Sequence, residues 1–333
     1  MTPRYRITAW DKDITALVAD RLLSASVTDE AGIEADQFTM TLDDRDNVLA
    51  WPEKGAKLAV WLGYVETGLL KMGDYIVDEI EYSEPPATMV IRAKAADYAN
   101  AYLKSQKTRS WPKNMTIGDL VKKIAAEHKL KPLVSKSLAA IKLPATHQTE
   151  ESDLNLLTRI AKDYNAIAKP AAGSLLFVVK GESRDANGKP LPVVTVTKDG
   201  KTTVRVVEAD RGKYQSVVAY FHNPKTGKRD LVRFETGEPT FTMKYNYPDR
   251  AQAQKAAEAK HKALARQSKR LSLTMPGEPK TVAETRLTLD GFRDGVNGDW
   301  VAVSVRHDFG NNGFSTAVDA EQYLPDERNQ EGK

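Results

Sequence analysis

Residues 107–179 read KTRSWPKNMTIGDLVKKIAAEHKLKPLVSKSLAAIKLPATHQTEESDLNLLTRIAKDYNAIAKPAAGSLLFVV. The stretch holds two amphipathic helical patterns and the start of a strand, in a chain whose other segments mostly alternate as strands do. Ile117, Leu120, Val121, Ile124 and Ala125 fall at i, i+3, i+4, i+7 and i+8, which places them on one apolar helical stripe. Thr116 is positioned as the N-cap. Its hydroxyl can accept a free backbone N–H while Asp119 favours the positive end of the helix, and such a cap is worth about 1 kcal/mol. Pro132 stops the helix shortly after Leu130.

A second helix is expected after Thr149, with Glu150, Glu151 and Asp153 in its first turn, where carboxylates oppose the unpaired amides. Leu154, Leu157, Ile160, Ala161 and Tyr164 supply its buried stripe. Pro170 and Gly173 close the unit, and residues 174–179 read as a strand too apolar for a solvent-facing edge. Two short helices running directly into a strand suggest a clip between two β-rich bodies.

Working outward, 333 residues with 41% hydrophobic side chains are enough for two or three buried cores, at about 100 to 200 residues per domain. The 49 basic and 45 acidic side chains leave a formal +4, too even to demand a nucleic-acid or membrane partner for the chain as a whole, so any electrostatic function must be local. With no cysteine there is no disulfide framework, thiolate zinc site or cysteine nucleophile. The first residues carry no apolar run of signal-peptide length, and no segment approaches the roughly 18 apolar residues of a membrane span. A soluble chain without a cleavable signal is expected.

From Arg4 to Ala95 the pattern is strands and turns. Phe38, Met40 and Leu42 alternate with Thr39 and Thr41, Trp51-Pro52 and Pro85-Pro86 break the chain, and several short strands at this spacing favour a barrel or sandwich. Aspartates recur here. Asp11, Asp13 and Thr15 lack the glycine and terminal glutamate of a calcium loop, and the aspartates of this region are read as turn-forming and solvated.

After the polar loop at 183–190 a second series of strands runs from Val193 to Tyr247, punctuated by Asp199-Gly200 and Gly237. Pro248 to Arg270 reads as the one long helix, rich in alanine. Ala253, Ala257, Leu264 and Leu271 lie on one side, and Lys255, Lys262, Arg266 and Lys269 form a basic stripe almost opposite. Residues 244–270 carry eight Lys or Arg against two Asp or Glu, a local excess that could face a channel or simply water. Further strands at 270–275, 284–289, 300–306 and 314–318 follow, with Asn311-Asn312-Gly313 suited to a hairpin loop, and the end from Asp326 to Lys333 is expected to fray.

The order of these signals resembles a known family. Arg109-Ser110-Trp111, Thr116-Ile117-Gly118-Asp119-Leu120, the run from His147 to Asp153, and Leu157-Thr158-Arg159-Ile160-Ala161 are similar to the late control protein D family, the baseplate tail hub of contractile-tailed phages. Asp13-Ile14-Thr15, Val27-Thr28-Asp29, Asp36-Gln37-Phe38, Leu42-Asp43-Asp44 and Met72-Gly73-Asp74-Tyr75 extend the likeness to the start of the chain. Met275-Pro276-Gly277, Leu289-Asp290-Gly291-Phe292, Gly298-Asp299-Trp300 and Val305-Arg306-His307-Asp308-Phe309 extend it to the end.

The resemblance implies a mainly β fold with some α: two β-barrel-like domains, residues 1–104 and 173–333, joined by a helical connector at 105–172. Barrels of this family can be completed by segments distant in sequence. It implies a virion structural protein of the tail baseplate, assembled in the bacterial host cytoplasm. It further implies a homotrimeric ring between the sixfold tail tube, or a tube-initiator protein, and the threefold spike, with DNA or tape-measure protein passing through its channel. No cofactor, metal or membrane insertion is implied. The hub part of a type VI secretion spike shares this ancestry, although such proteins normally continue into a β-helical needle.

Rival chemistry is weak. The sequence has no HExxH, GxSxG or phosphate loop, and Gly291, Gly295 and Gly298 lack the spacing of a nucleotide fingerprint. The five histidines at 128, 147, 222, 261 and 307 are scattered, so a metal site would have to be assembled entirely by the fold. Glu150 and Glu151 could serve as acid and base in a tail-associated peptidoglycan hydrolase, but adjacent carboxylates at a helix start are better explained by capping, and glycosidases need carboxyls facing each other across about 5 to 9 Å. A DNA-binding module, suggested by the basic helix, is the remaining rival.

Overall fold

The computed structural model describes residues 1–32, 35–96, 103, 105–185, 188–209, 213–311 and 313–324. The expected boundary at 104, the expected frayed end from Asp326, Asn312 and part of the loop at 183–190 lie outside them. Strands take up 51% of the chain and helices 16%, so the fold is mainly β.

The first part of the chain contributes β1 (Pro3–Ala9), β2 (Lys12–Asp13), the short α1 (Thr15–Ala19), β3 (Leu22–Glu30), β4 (Gln37–Asp43), β5 (Lys57–Tyr64), the long β6 (Gly68–Ser83) and β7 (Thr88–Ala95). They pair antiparallel in the order β3-β4-β7-β6-β5-β1-β2. Alternation does the work expected of it: Phe38, Met40 and Leu42 of β4 are buried while their neighbours are half-exposed, and Ile7, Val60, Leu62, Tyr75, Val77 and Ile91 complete the same core.

Residues 106–179 are richer in strand than the sequence suggests. Alongside α2 (Ile117–Glu127) and α4 (Asp153–Asp163) run β8 (Gln106–Trp111), β9 (Lys131–Val134), a single turn α3 (Lys136–Ala139), β10 (Thr146–Ser152), β11 (Ala166–Ala171) and β12 (Ser174–Val179). The α2 stripe is fully buried as its spacing requires, and the Asp119 amide donates to Thr116 Oγ1 at 3.1 Å. The second helix starts later than expected. Ser152 caps it by accepting from Asn155 N at 3.2 Å, leaving only Asp153 in the first turn, while Glu150 and Glu151 belong to β10, which pairs with β8. Nor does the unit end at Pro170. β11 and β12 form a hairpin whose turn uses the positive φ of Gly173, and β12 is the middle strand of the sheet β11-β12-β9. That position explains why all six of its residues are buried and why Pro170, lacking an amide proton, is tolerated on the edge strand.

The remainder comprises β13 (Val194–Thr197), β14 (Thr203–Glu208), β15 (Ser216–Asn223), β16 (Lys228–Phe234), β17 (Thr240–Tyr247), α5 (Arg250–Gln267), β18 (Lys269–Pro276), β19 (Arg286–Asp290), β20 (Gly298–Gly310) and β21 (Gly313–Gln322). β15, β16 and β17 form a separate three-stranded sheet that lays one face on α5, burying Val217, Ala219, Phe221 and Val232 against Ala253, Ala257 and Leu264. α5 is shorter than expected. Asp249 caps its start, accepting from Gln252 N at 2.9 Å, and Ser268 ends it, so Lys269 and Arg270 fall on β18.

β20 joins the two halves of the chain. One of its edges pairs with β21 along its length; the other pairs with β19 over residues 298–301 and then with β3 over residues 304–310. Trp300, Ala302 and Val305 therefore sit in the core formed with β13, β18 and β19, whereas Phe309 enters the core of the first strands, where Tyr5 meets it at 5.2 Å between ring centroids. Phe314 of β21 packs at 5.5 Å on Tyr64, whose hydroxyl donates to Gly277 O at 2.8 Å. Gly277 has to be glycine here: a Cβ would stand 2.2 Å from the Phe314 ring.

Candidate functional site: charged junctions between the packed units

Two polar clusters tie packed units together, and a third lies inside one of them. In the first, Lys169 of β11 points out of its own sheet into the β3–β4 region. Its ammonium donates to Asp29 Oδ1 at 2.8 Å, Asp36 Oδ1 at 2.6 Å and Glu30 O at 2.5 Å. Asp29 accepts in addition from Ala283 N at 3.0 Å, which brings the 278–285 loop into the same knot. Two carboxylates share one ammonium, so burial and the Asp29 charge push Asp36 up to about 7, while Lys169 holds Asp29 below its ordinary value. His307 lies beneath. Its Nε2 donates to Thr281 O at 3.0 Å and its Nδ1 accepts from the Thr316 hydroxyl at 2.9 Å, and burial lowers its pKa, which fits a neutral ring.

The aspartates of the first region are thus not all solvated turn residues. Asp29 and Asp36 are ion-pair partners inside a junction, and buried Asp44 accepts from Leu49 N at 3.0 Å. The sequence carried a signal for the pair on its other side: Lys169 is a lone cation between Ala168 and Pro170 in an otherwise apolar run, and a lysine so placed needs a buried acid.

The second cluster ties residues 165–181 to α5 and β21. Lys180 donates to Glu321 Oε2 at 2.9 Å, Arg266 lies 3.6 Å from the same oxygen and bonds Asn165 Oδ1, and Gly181 N donates to Glu284 Oε2 at 2.6 Å. Burial lifts Glu284 to about 7. Nearby, the Tyr247 hydroxyl donates to Asp163 Oδ1 at 3.0 Å.

The third cluster sits inside the unit of residues 106–179. Asp153 accepts from Arg109 Nη2 at 2.6 Å, Lys107 Nζ at 2.6 Å, Gln148 Nε2 at 2.8 Å and His128 Nε2 at 2.8 Å, and this set outweighs burial, lowering its pKa to about 2. Glu127, His128 and Asp153 lie close enough to share a cation. Lys107 and Arg109, bonded to both carboxylates, already supply the positive charge there.

The expected basic stripe is divided by the fold. Lys255 is exposed, Lys262 pairs with Glu258 at 2.9 Å, Arg266 is buried in the second cluster, and Lys269 lies on β18 with its ammonium 5.4 Å from the Trp300 ring centre. Glu150 and Glu151 do not form an acid–base pair: Glu151 is bonded to Arg159 at 2.8 Å and Glu150 is an exposed bulge residue. A shallow depression of about 490 Å³ opens beside Trp300, and its one carboxylate, Asp299, is taken by Arg286 and Thr288. No helix among the described residues is long and apolar enough to cross a membrane.

The chain is thus a mainly β scaffold in which two of three polar clusters join packed units. The profile of the phage tail baseplate hub family matches residues 75–313, and the chain belongs to that family. It is 33% identical to the probable baseplate hub protein of Escherichia phage 186, an alignment covering 98% of this chain and 94% of that one. Among solved structures, the 43 kDa tail protein of prophage MuSo2 from Shewanella oneidensis superposes with a TM-score of 0.72 at 13% identity, over 96% of this chain and 98% of the other. The E. coli c3393 protein, a type VI secretion system component, shares the fold at a TM-score of 0.56 and 11% identity, over 98% of this chain and 78% of that one.

Proposed function

We propose that this baseplate hub acts as a homotrimeric adaptor, a ring that meets the sixfold tail tube or a tube-initiator protein on one side and the threefold spike on the other. The observation that carries the reading is β20, one strand shared by two β cores. Two β bodies per chain, one centred on residues 1–104 and one within 173–333, linked by residues 105–172, give six in a closed trimer, which is how a threefold object can present six similar contacts. Charged junctions tie residues 165–181, between the two bodies, to both of them, which suits an adaptor. Family membership supports a structural role in the virion tail over the hydrolase reading, and the placement of Glu150 and Glu151 supports it further.

Mass in solution tests this. Purified chain should run at about three times 36.9 kDa alone, or, once mixed with its spike protein, at that mass plus the mass of the bound spike. A chain that stays monomeric in both conditions overturns the ring.

A further inference from the structure

α5 covers one face of the β15–β16–β17 sheet; on the other, Ser216 and Val218 are buried, and an exposed rim of polar and charged side chains surrounds them. Strand register identifies its side chains. Ser216, Val218, Tyr220 and His222 of β15 face the same way as Arg229, Leu231 and Arg233 of β16, and Thr242 of β17 lies beside Val218. Arg229, Arg233, Lys244, Thr242 and Asn246 are exposed, as are Lys225 and Lys228 at the β15–β16 hairpin tip.

Several cations of the first part of the chain are neutralised by neighbouring acids. On the first strands Arg6, Arg21, Arg45, Lys71, Arg92 and Lys94 each hold a carboxylate. Among the described residues none of Lys225, Lys228, Arg229, Arg233 and Lys244 has an acidic partner. Arg229 instead stacks on Tyr220, 3.6 Å from the ring centre, and Arg233 donates to the hydroxyls of Ser216 and Thr240, both at 3.1 Å. Both guanidinium groups are therefore steadied without being neutralised. Two of the nearby acids are turned to other uses: half-buried Asp230 accepts from Asn223 at 2.6 Å, and Glu238 accepts from Thr240 N at 2.7 Å.

From this face we infer that the chain binds the phosphate backbone of DNA, without reading base sequence. Unpaired cations interleaved with hydroxyl and amide groups are what phosphate contacts use. Tyr220 is already covered by Arg229, and among the described residues His222 is the one exposed ring left on the face, so contact with the backbone is favoured over base stacking. An acidic protein fits less well, because among the described residues Leu231 is the one large apolar side chain exposed on the face, too little for the apolar centre of a protein interface. The sheet is complete within one chain, so binding does not depend on the hub being a ring.

The test is fluorescence anisotropy of full-length protein with two labelled 30-base-pair duplexes of unrelated sequence, over 50 to 200 mM salt. Both duplexes should bind equally, and if all five cations engage, affinity should fall about 500-fold across that range. Arg229→Gln with Lys244→Gln should reduce the slope of log K against log salt by about 2. Lys255→Gln with Lys262→Gln on α5 should leave it unchanged. Far-UV circular dichroism and thermal melts confirm that the variants fold, and neither Arg229 nor Lys244 has a partner whose loss would unfold the sheet. The proposal is overturned by an unchanged slope in the folded sheet variant, by loss of binding in the α5 variant alone, or by a wild type that ignores DNA at 50 mM salt yet binds poly-L-glutamate, which would assign the face to an acidic protein.

Discussion

Lys169 Nζ lies 2.6 Å from Asp36 Oδ1 and 2.8 Å from Asp29 Oδ1, one buried ammonium shared by two carboxylates across a junction of two packed units. Removing the cation strands both acids, whereas removing one acid leaves a neutral pair. Lys169→Met should cost about 3 to 5 kcal/mol, and Asp36→Asn much less. Urea unfolding of the two variants checks the order, and equal losses would mean the junction is not organised around the lysine.

The same group sets a pH dependence. Asp36 and Glu284 have folded pKa values raised to about 7 from ordinary values of 3.8 and 4.5, so the folded chain holds their protons longer than the unfolded chain. Their contribution is fully present below pH 4 and is lost as pH rises through 7. Asp153 works the other way: lowered to about 2, it stabilises above pH 4 and stops doing so as pH falls toward 2. Each raised carboxyl should therefore remove about 1 to 3 kcal/mol of stability between pH 5 and pH 8. Melts of Asp36→Asn should show a shallower alkaline decline than wild type, and an identical profile would remove Asp36 as its source.

The core of residues 106–179 offers a sharper contrast. Leu157 is fully buried among Ile160, Leu120 and Ile124, and truncating it leaves a cavity, so Leu157→Ala should cost about 2 to 5 kcal/mol. Glu150 is exposed, and Glu150→Gln should alter neither the melt nor particle infectivity. Loss of infectivity in a Glu150→Gln particle that still assembles would revive the hydrolase reading.

What the sequence made legible was local. The α2 stripe and its Thr116 cap follow from a 3.6-residue period and one side-chain hydrogen bond, both contained in a dozen residues. The start of α4 was misplaced because Glu150 and Glu151 look like first-turn carboxylates, and only pairing with β8 shows that the strand continues to Ser152. Lys269 looked helical because helical spacing carries no marker where Ser268 ends the helix. The Lys169 junction depends on acids more than 130 residues away, so the lysine could announce a need without naming its partners. The open face of β15–β17 was hidden for a related reason: in sequence its cations are diluted by Asp230, Glu235 and Glu238, but the pleat turns Asp230 to the opposite face, and Glu235 and Glu238 lie in the connection between β16 and β17.

The longest-range relation of all concerns the first strands, which do not carry their whole core. β3 gains one neighbour, β4, from nearby sequence, and its other edge is closed by β20 from Ser304 to Gly310. Phe309 and Phe314 fill the same core from that distant segment, and full burial of each aromatic is worth about 1.5 to 3 kcal/mol. A fragment of residues 1–104 would thus lose a hydrogen-bonded neighbour and two large side chains together, and would expose the β3 edge as a template for aggregation. Expressed alone it should be insoluble or should unfold without a cooperative transition. Co-expressed with residues 298–324 as a separate chain, it should become soluble and recover a single sigmoidal melt. A soluble monomer of residues 1–104 that unfolds cooperatively without that peptide would show that β20 is an addition to the core of the first strands, not a part of it.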